Sequence, residues 1–334
     1  MILEAVTIQA SPREHESLAI ALRAIARMGG VDPNYDEICA ALGISLVAIV
    51  GPAESSPALW PTFGRDAFLA PTARLFGIHL RDLHPPEVGV DMLWAEEFAQ
   101  HFDLSYKPLL RQALQNEQPV LAWGGWAGDP TPRWGVLTTA ADEDLLGVVP
   151  GTLDPVQLSH PALQCYVVEH YEPRTPSSEE VFDTAMTHAH GFLTRSTALF
   201  QHLTPPGSKI VAGPAAFDVW ATWLQSQRPG NEADPAREAF RIYTKTLCSA
   251  RTSAARFLAR SDAAQGPSHA AMMDAIMHAC DSFAAELGLL CRPAEVHALW
   301  QTAEGHQELL ENIRTAQAID RQIADCVSRL VSAA

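Results

Sequence analysis

The chain has 334 residues, of which 47% are hydrophobic, and it carries a formal net charge of −16 at pH 7. This length is typical of two domains with a sizeable core. The acidic balance argues against a nucleic-acid partner, because phosphate backbones are bound by clusters of Lys and Arg and the sequence contains none.

The first half predicts a mixture of short helices and strands. Ser11, Pro12 and Glu14 form a capping-box pattern, which predicts a first helix over residues 13–28 that ends at Gly29. Apolar periodicity and bounding Gly or Pro residues predict the other elements. These are helices at 35–42, 65–76, 91–102 and 106–116, and strands at 2–8, 44–50 and 78–80.

The stretch from Pro119 to Gly151 organises this half. Short apolar runs bounded by Gly, Pro and Asp are typical of consecutive antiparallel strands. The three runs and the two turns between them are residues 120–126, 128–130, 134–139, 142–144 and 145–149. We therefore predict a meander here, followed by a further strand over residues 163–171.

A linker is predicted over residues 172–180, where two prolines and several polar residues precede a change of period. From Val181 onward the apolar residues recur with the helical period near 3.6. Helices are predicted at 179–203, 213–227, 235–261, 268–289 and 293–332. The predicted fold class is α+β, with an α+β domain over residues 1–172 and an all-helical domain over residues 178–334.

Signals for a membrane or for secretion are missing. No apolar run approaches the roughly 20 residues of a membrane span, and Glu4 interrupts the first apolar residues, which therefore do not resemble a signal peptide. The six cysteines are scattered without a C-x-x-C pair. We expect a cytoplasmic protein with reduced thiols and no membrane partner.

Several stretches carry a family resemblance. They are Leu18–Gly30, Tyr35–Ser45, Gln118–Trp126 and Arg133–Gly151 in the first half, and Gly213–Leu224 and Ala250–Arg260 in the second. Through them the chain resembles the butirosin biosynthesis protein H-like family, whose N-terminal domain is related to bacteriocin-processing cysteine peptidases. The resemblance implies a papain-like domain with an antiparallel sheet, fused to a helical domain.

The resemblance also implies where the catalytic groups would stand, and this sequence departs from the pattern at all three positions. A nucleophilic cysteine is expected where the first helix begins, and Glu16 and Ser17 stand there. A base histidine is expected at the start of the second meander strand, where Arg133 and Trp134 stand. An orienting Asp or Asn is expected at the end of the third strand, where Val149 stands.

Two residues keep a rebuilt active site open as an alternative. Gln9 matches a glutamine that helps to form the oxyanion hole in the family pattern, and Ser17 could replace the missing thiol. His15 is a poor base for Ser17, because residues i and i+2 point to different sides of a helix. Cys39 is a second candidate nucleophile if the fold brings a histidine within hydrogen-bond reach.

Aromatic residues of the meander suggest a binding wall. Trp123 and Trp134 on adjacent strands could line one side of a cleft, which Trp126 could join only through a bulge at Gly124-Gly125. Core packing of at least two of the tryptophans is the more ordinary explanation, and a bulge explains the glycines as well as close approach of a ligand does. The candidate ligand-binding residues are Gln9, Ser17, Trp123, Gly124, Arg133 and Trp134.

No metal and no cofactor are predicted. The rings of a His188-x-His190 pair on a helix are splayed by about 200°, and the spacings to His202 and His278 lack the i, i+4 pattern of a helical metal pair. The acidic turn at 142–144 is typical of a solvated hairpin.

Three functions remain open from the sequence. The first is a catalytically inactive papain-like relative that binds a small molecule or a peptide, in the biosynthesis of a specialised metabolite. The second is an acyltransferase or amide-processing enzyme of the butirosin type with a rebuilt nucleophile. The third is a scaffold or dimerisation module, and a homodimer is a possible assembly.

Overall fold

The structure, a computed structural model, describes residues 13–51, 68–83, 97–128, 133–141, 144–200, 210–230, 235–262 and 266–333. It is α+β and divides into two compact units. The described residues of the first unit fall within Met1–Ile38 and Leu69–Pro176. Those of the second fall within Cys39–Phe68, Ser177–Gln201 and Ser208–Ala334.

The first unit is built on a six-stranded sheet in which every neighbouring pair is antiparallel. The strands are β2 (Ile78–Asp82), β3 (Val120–Trp123), β4 (Trp134–Ala141), β5 (Asp144–Val148), β6 (Val156–Gln157) and β7 (Gln164–Tyr171). Their order in the sheet is β2-β7-β3-β4-β5-β6. The predicted meander is confirmed as β3, β4 and β5, which pair in sequence order.

The helices of the first unit pack around this sheet. They are α1 (Ser17–Met28), the start of α2 (Tyr35–Ala41), α3 (Leu69–Leu75), α4 (Phe98–His101) and α5 (Lys107–Gln115), with a π-helical turn at Phe102–Tyr106 between the last two. Side chains of α5, such as Leu110, share a core cluster with Val120, Ala122 and Leu137 on one face of the sheet. α1 contacts β4, and its residues from Ser17 to Ala26 are all buried.

The second unit is mainly helical. Its helices are α6 (Ser178–Phe200), α7 (Ala215–Ser226), α8 (Pro235–Arg260), α9 (Pro267–Leu287), α10 (Pro293–Trp300) and α11 (Ala303–Ala333), with a 3₁₀ turn at Leu289–Cys291. α9 packs on both α8 and α11. Trp220 lies at the centre of the core, with its ring centroid 5.2 Å from that of Phe240 and 4.7 Å from that of Tyr243.

Residues 39–51 also belong to this second unit. β1 (Ile49–Val50) pairs with β8 (Val211–Ala212) in a two-stranded antiparallel sheet. Arg251 is fully buried, donates a 2.7 Å hydrogen bond to the Ser45 carbonyl oxygen and forms an ion pair with buried Asp320. A buried charge needs such partners, because an isolated one is strongly disfavoured in the protein interior.

Several predicted element bounds need correction. The first helix begins at Ser17 rather than 13, the strand predicted at 44–50 shortens to Ile49–Val50, and the helix predicted at 293–332 breaks at residues 301–302. Thr302 caps α11 after this break, because its hydroxyl accepts a 2.9 Å hydrogen bond from the Gly305 amide. The strand predicted at 2–8 and the Ser11 cap lie outside the described residues.

The second unit is not one uninterrupted stretch of sequence. The chain passes between the units at Pro176–Ser177, and residues 39–51 also lie with the second unit. Their placement follows from contacts that are distant in sequence, such as those from β8 and Arg251. The domains over residues 1–172 and 178–334 stay predictions.

Candidate functional site

The N-terminus of α1 is the position where the family resemblance implies a nucleophile. Glu16 is its N-cap residue, and the Glu16 amide donates a 3.0 Å hydrogen bond to the Tyr35 hydroxyl. Nearby, Arg23 binds Glu14 through two hydrogen bonds of 2.8 and 2.6 Å. These contacts fix the start of the helix, because they hold groups on both sides of its first residue.

Ser17, the first residue of α1, binds the sheet directly. Its Oγ accepts a 3.1 Å hydrogen bond from the backbone amide of Trp134, the first residue of β4. The fold therefore brings together the position implied for the nucleophile and the position implied for the base. Both residues are buried, with Ser17 4% exposed and Trp134 fully enclosed.

The register of the sheet explains why the Trp134 amide reaches Ser17. Trp134 lies opposite Trp123, and the adjacent ladder bond runs from the Gly124 amide to the Arg133 carbonyl oxygen at 2.9 Å. Trp123 and Trp134 are thus a non-hydrogen-bonded pair, in which both amides point away from the partner strand. The Trp134 amide is therefore directed away from β3, and Ser17 supplies an acceptor for it.

Arg133 connects the base position to the end of the third meander strand. Its Nη1 donates a 2.8 Å hydrogen bond to the Pro150 carbonyl oxygen, next to Val149. Val149 is buried in the core cluster that also contains Trp126 and Leu137. The position implied for an orienting acid thus holds an apolar core residue, and the arginine beside it bonds the backbone.

Trp123 and Trp134 form a contact on the α1 side of the sheet. Their ring centroids are 6.4 Å apart, and Trp134 lies 6.1 Å from the ring of Tyr166 on β7. Trp123 is 2% exposed. The two tryptophans predicted to share a face do so, but as buried core residues rather than as an exposed wall.

Trp126 lies on the opposite face of the sheet. Gly124 and Gly125 both adopt positive φ angles, of 75° and 80°, and the chain then leaves β3. The Trp126 ring packs where a side chain at Gly135 would otherwise project, and its Nε1 donates a 3.1 Å hydrogen bond to the Arg133 carbonyl oxygen. The two glycines are thus required by the turn, and Gly124 is itself buried.

The hydrogen bonds of this site offer Ser17 no base. Within the described chain, Ser17 Oγ bonds to the Trp134 amide and to no histidine ring. A peptide N–H is a donor and cannot take the proton of a hydroxyl. Cys39 lies buried in the part of α2 that belongs to the second unit, whereas Ser17 belongs to the first. Gln9 lies outside the described residues.

The histidines considered as metal ligands have other surroundings. His188 is buried, its Nδ1 donates a 2.6 Å hydrogen bond to the Ala41 carbonyl oxygen, and its ring stacks on Phe68 at 4.1 Å. Burial lowers the pKa of His188, an effect that the bond to Ala41 opposes. Over the part of the chain that the structure describes, no group of three His, Cys, Asp or Glu residues could hold a metal ion. His202 lies outside that part.

Sequence reasoning missed the partners that hold the site together. Tyr35 and the Pro150 carbonyl are distant in sequence from the residues they bind, and no spacing pattern connects them. Glu14 and Arg23 are nine residues apart. Glu14 precedes α1, so the helical spacings do not predict this pair. Only the three-dimensional structure identifies these partners.

No helix in the described ranges has the length and apolar character needed to cross a bilayer.

Comparisons with known proteins do not extend these observations. No protein-family model matches the chain, and no curated protein matches it. The resemblance to the butirosin biosynthesis protein H-like family therefore stays a prediction from the sequence.

Proposed function

We propose that the chain is a catalytically inactive relative of papain-like peptidases that binds a small molecule or a peptide. The observation that supports the lack of catalytic activity is the hydrogen bond from the Trp134 amide to Ser17 Oγ. A serine hydroxyl becomes a nucleophile when an adjacent base takes its proton. The main-chain donor beside Ser17 cannot do so, and the side chain has a structural role.

The arrangement of the other two positions supports the same proposal. Arg133 donates to the Pro150 carbonyl oxygen, and Val149 packs in the core. Neither group can accept a proton from Ser17 or orient a base. Loss of a nucleophile and its base costs several orders of magnitude in rate in enzymes of this type.

The experiment compares the chain with its Ser17→Ala variant. Both are incubated with a fluorophosphonate, which labels activated serines, and with an acyl thioester, which loads an acyltransferase. Intact-mass and peptide mass spectrometry should find no adduct on Ser17 of the unmodified chain with either reagent. An adduct on Ser17 that persists in Ser159→Ala, a variant at an exposed serine of the same unit, would establish the acyltransferase alternative instead.

The binding part of the proposal requires the site to open. Ser17, Trp123 and Trp134 are buried, and a solute reaches a buried ring only when the surrounding structure moves. Native-state amide hydrogen exchange measures such opening, because local openings have lower free energies than global unfolding. We expect the Trp134 amide to exchange faster than the ladder amides of β3, such as Leu121.

Equal protection of these amides would contradict binding at this site. It would mean that the tryptophans leave the core only when the whole unit unfolds. The burial of Trp123 and Trp134 is also the observation that favours the scaffold alternative. Under that alternative the papain-like arrangement would provide only a folded framework.

A further inference from the structure

Residues 39–51, here called the inserted segment, lie inside a unit that is otherwise built from residues after Pro176. Every residue of the inserted segment is buried, and Ala48 and Val50 belong to the core cluster around Trp220. A segment from a distant part of the sequence thus completes this core. Its position must be determined by contacts across the unit, because no local spacing connects it to the helices.

The last residues of the inserted segment are held as a strand. Ile49 lies opposite Ala212, and the adjacent ladder bond runs from the Gly213 amide to the Ala48 carbonyl oxygen at 2.8 Å. Ile49 and Ala212 are therefore a non-hydrogen-bonded pair, in which the carbonyl groups point away from the partner strand. The Ile49 carbonyl oxygen instead accepts a 3.2 Å hydrogen bond from the Tyr243 hydroxyl of α8.

Two further carbonyl oxygens of the inserted segment accept hydrogen bonds from helix side chains. His188 of α6 donates to the Ala41 carbonyl oxygen at 2.6 Å, and Arg251 of α8 donates to the Ser45 carbonyl oxygen at 2.7 Å. Every residue carries a main-chain carbonyl. Bonds of this kind therefore hold the inserted segment without recognising its side chains.

The side chains of the inserted segment distinguish its possible registers poorly. Residues 44–50 read I-S-L-V-A-I-V, a run that is apolar except for Ser45. In an alternating strand, a slip by one residue would move apolar side chains from the core to solvent. Here both faces are buried, so that a slip exchanges one apolar side chain for another. A fixed polar contact is needed to select one register.

The ion pair between Arg251 and Asp320 supplies such a contact. Both residues are buried, and Arg251 Cζ lies 5.3 Å from the centroid of the Phe283 ring. A guanidinium is planar and holds its donors in fixed directions. With one nitrogen bonded to Asp320, another is directed at a single place, the Ser45 carbonyl oxygen. A buried ion pair adds little stability compared with apolar residues of similar volume, so that its effect on position is the more informative one.

We propose that the second unit binds residues 39–51 as an internal peptide ligand, and that Arg251 and Asp320 are positioning residues that set its register. A slip by one residue would move the Ser45 carbonyl away from Arg251. It would leave a buried cation without one of its acceptors, and hydrogen bonds to charged groups are among the costliest to lose. Apolar packing alone imposes no comparable cost.

Paired cysteine substitutions in the full chain test the register directly. Ile49→Cys with Ala212→Cys reports the observed register, because these positions lie opposite each other. Ile49→Cys with Val211→Cys reports a slip by one residue, because neighbouring strand residues point to opposite faces. After oxidation and peptide mapping without reduction, the first pair alone should be cross-linked. Both pairs should be cross-linked when Arg251→Met and Asp320→Leu are added.

Thr244→Val is the matched control for these core substitutions. Thr244 is also fully buried on α8, but its hydroxyl bonds to the Phe240 carbonyl oxygen of the same helix. With this control, the first cysteine pair alone should still be cross-linked. If that pattern also persists with Arg251→Met and Asp320→Leu, apolar packing sets the register and the proposal is wrong.

A milder variant keeps the test decisive if the apolar pair fails to fold. Arg251→Lys retains a cation for Asp320 but loses the planar fork that also reaches Ser45. Amide hydrogen exchange of residues 47–50 should rise roughly tenfold in this variant, because the segment opens locally. Exchange of residues 239–248 on α8 should stay unchanged. An equal rise in both regions, or no rise at residues 47–50, would overturn the proposal.

Discussion

Replacement of Ser17 by alanine separates a structural role from a catalytic one. The substitution removes the oxygen that accepts the 3.1 Å hydrogen bond from the Trp134 amide, at a site where Ser17 is 4% exposed. Loss of a buried hydrogen-bond partner costs about 1–3 kcal/mol. Alanine regains a few tenths of a kcal/mol through its higher helix propensity, because position 17 begins α1.

The net expectation is a loss of about 1–2 kcal/mol in the free energy of unfolding of the first unit. Urea denaturation followed by tryptophan fluorescence measures this loss as a lower midpoint at an unchanged slope. Ser159→Ala is the matched control, because Ser159 is exposed in the same unit. Its free energy of unfolding should stay within about 0.5 kcal/mol of the original.

The opposite pattern would refute the reasoning. If Ser17→Ala kept the original midpoint but lost a measurable acyl-transfer activity, the hydroxyl would be a nucleophile and its bond to the Trp134 amide incidental. If both serine variants shifted the midpoint equally, the loss would not report on the buried hydrogen bond.

Three further predictions concern stability. Asp320→Ala leaves Arg251 buried without its ion-pair partner and should cost about 3–5 kcal/mol in urea denaturation. Because burial lowers the pKa of His188 below its unfolded value of 6.5, its contribution to stability is complete above about pH 6.5 and is lost as the pH falls toward the folded pKa. His188→Asn should reduce this slope in pH-dependent denaturation, whereas the exposed His278→Asn should retain it. Gly77→Ala should lower the melting temperature by several degrees, equivalent to about 2 kcal/mol or more, because its φ is +73° and a Cβ would lie 2.0 Å from a carbonyl oxygen.

The sequence was sufficient where structure depends on local chemistry. The meander strands β3, β4 and β5 are short apolar runs bounded by turn residues, and their limits lie within three residues of the predicted ones. α5, predicted at 106–116, forms over Lys107–Gln115. In both cases periodicity and the flanking residues were enough to indicate the element.

Elements that depend on distant partners could not be predicted. β1 and β8 contain two residues each and exist because Ile49 pairs with Ala212, which is too short a match for any periodic signal. α1 begins at Ser17 rather than at residue 13. The Tyr35 hydroxyl and the Trp134 amide contact the chain at this point.

The contacts of the candidate site also bear on the proposed lack of catalysis. Ser17 accepts from a backbone amide, and Arg133 donates to a backbone carbonyl. The partner groups belong to the main chain, so they are present whichever side chains occupy positions 134 and 150. A contact of this kind holds the helix start against β4 without an imidazole. The same contact offers Ser17 no proton acceptor, and a hydroxyl without one is a weak nucleophile at neutral pH. The bond that preserves the geometry of the site is therefore the one that argues most directly against catalysis by Ser17.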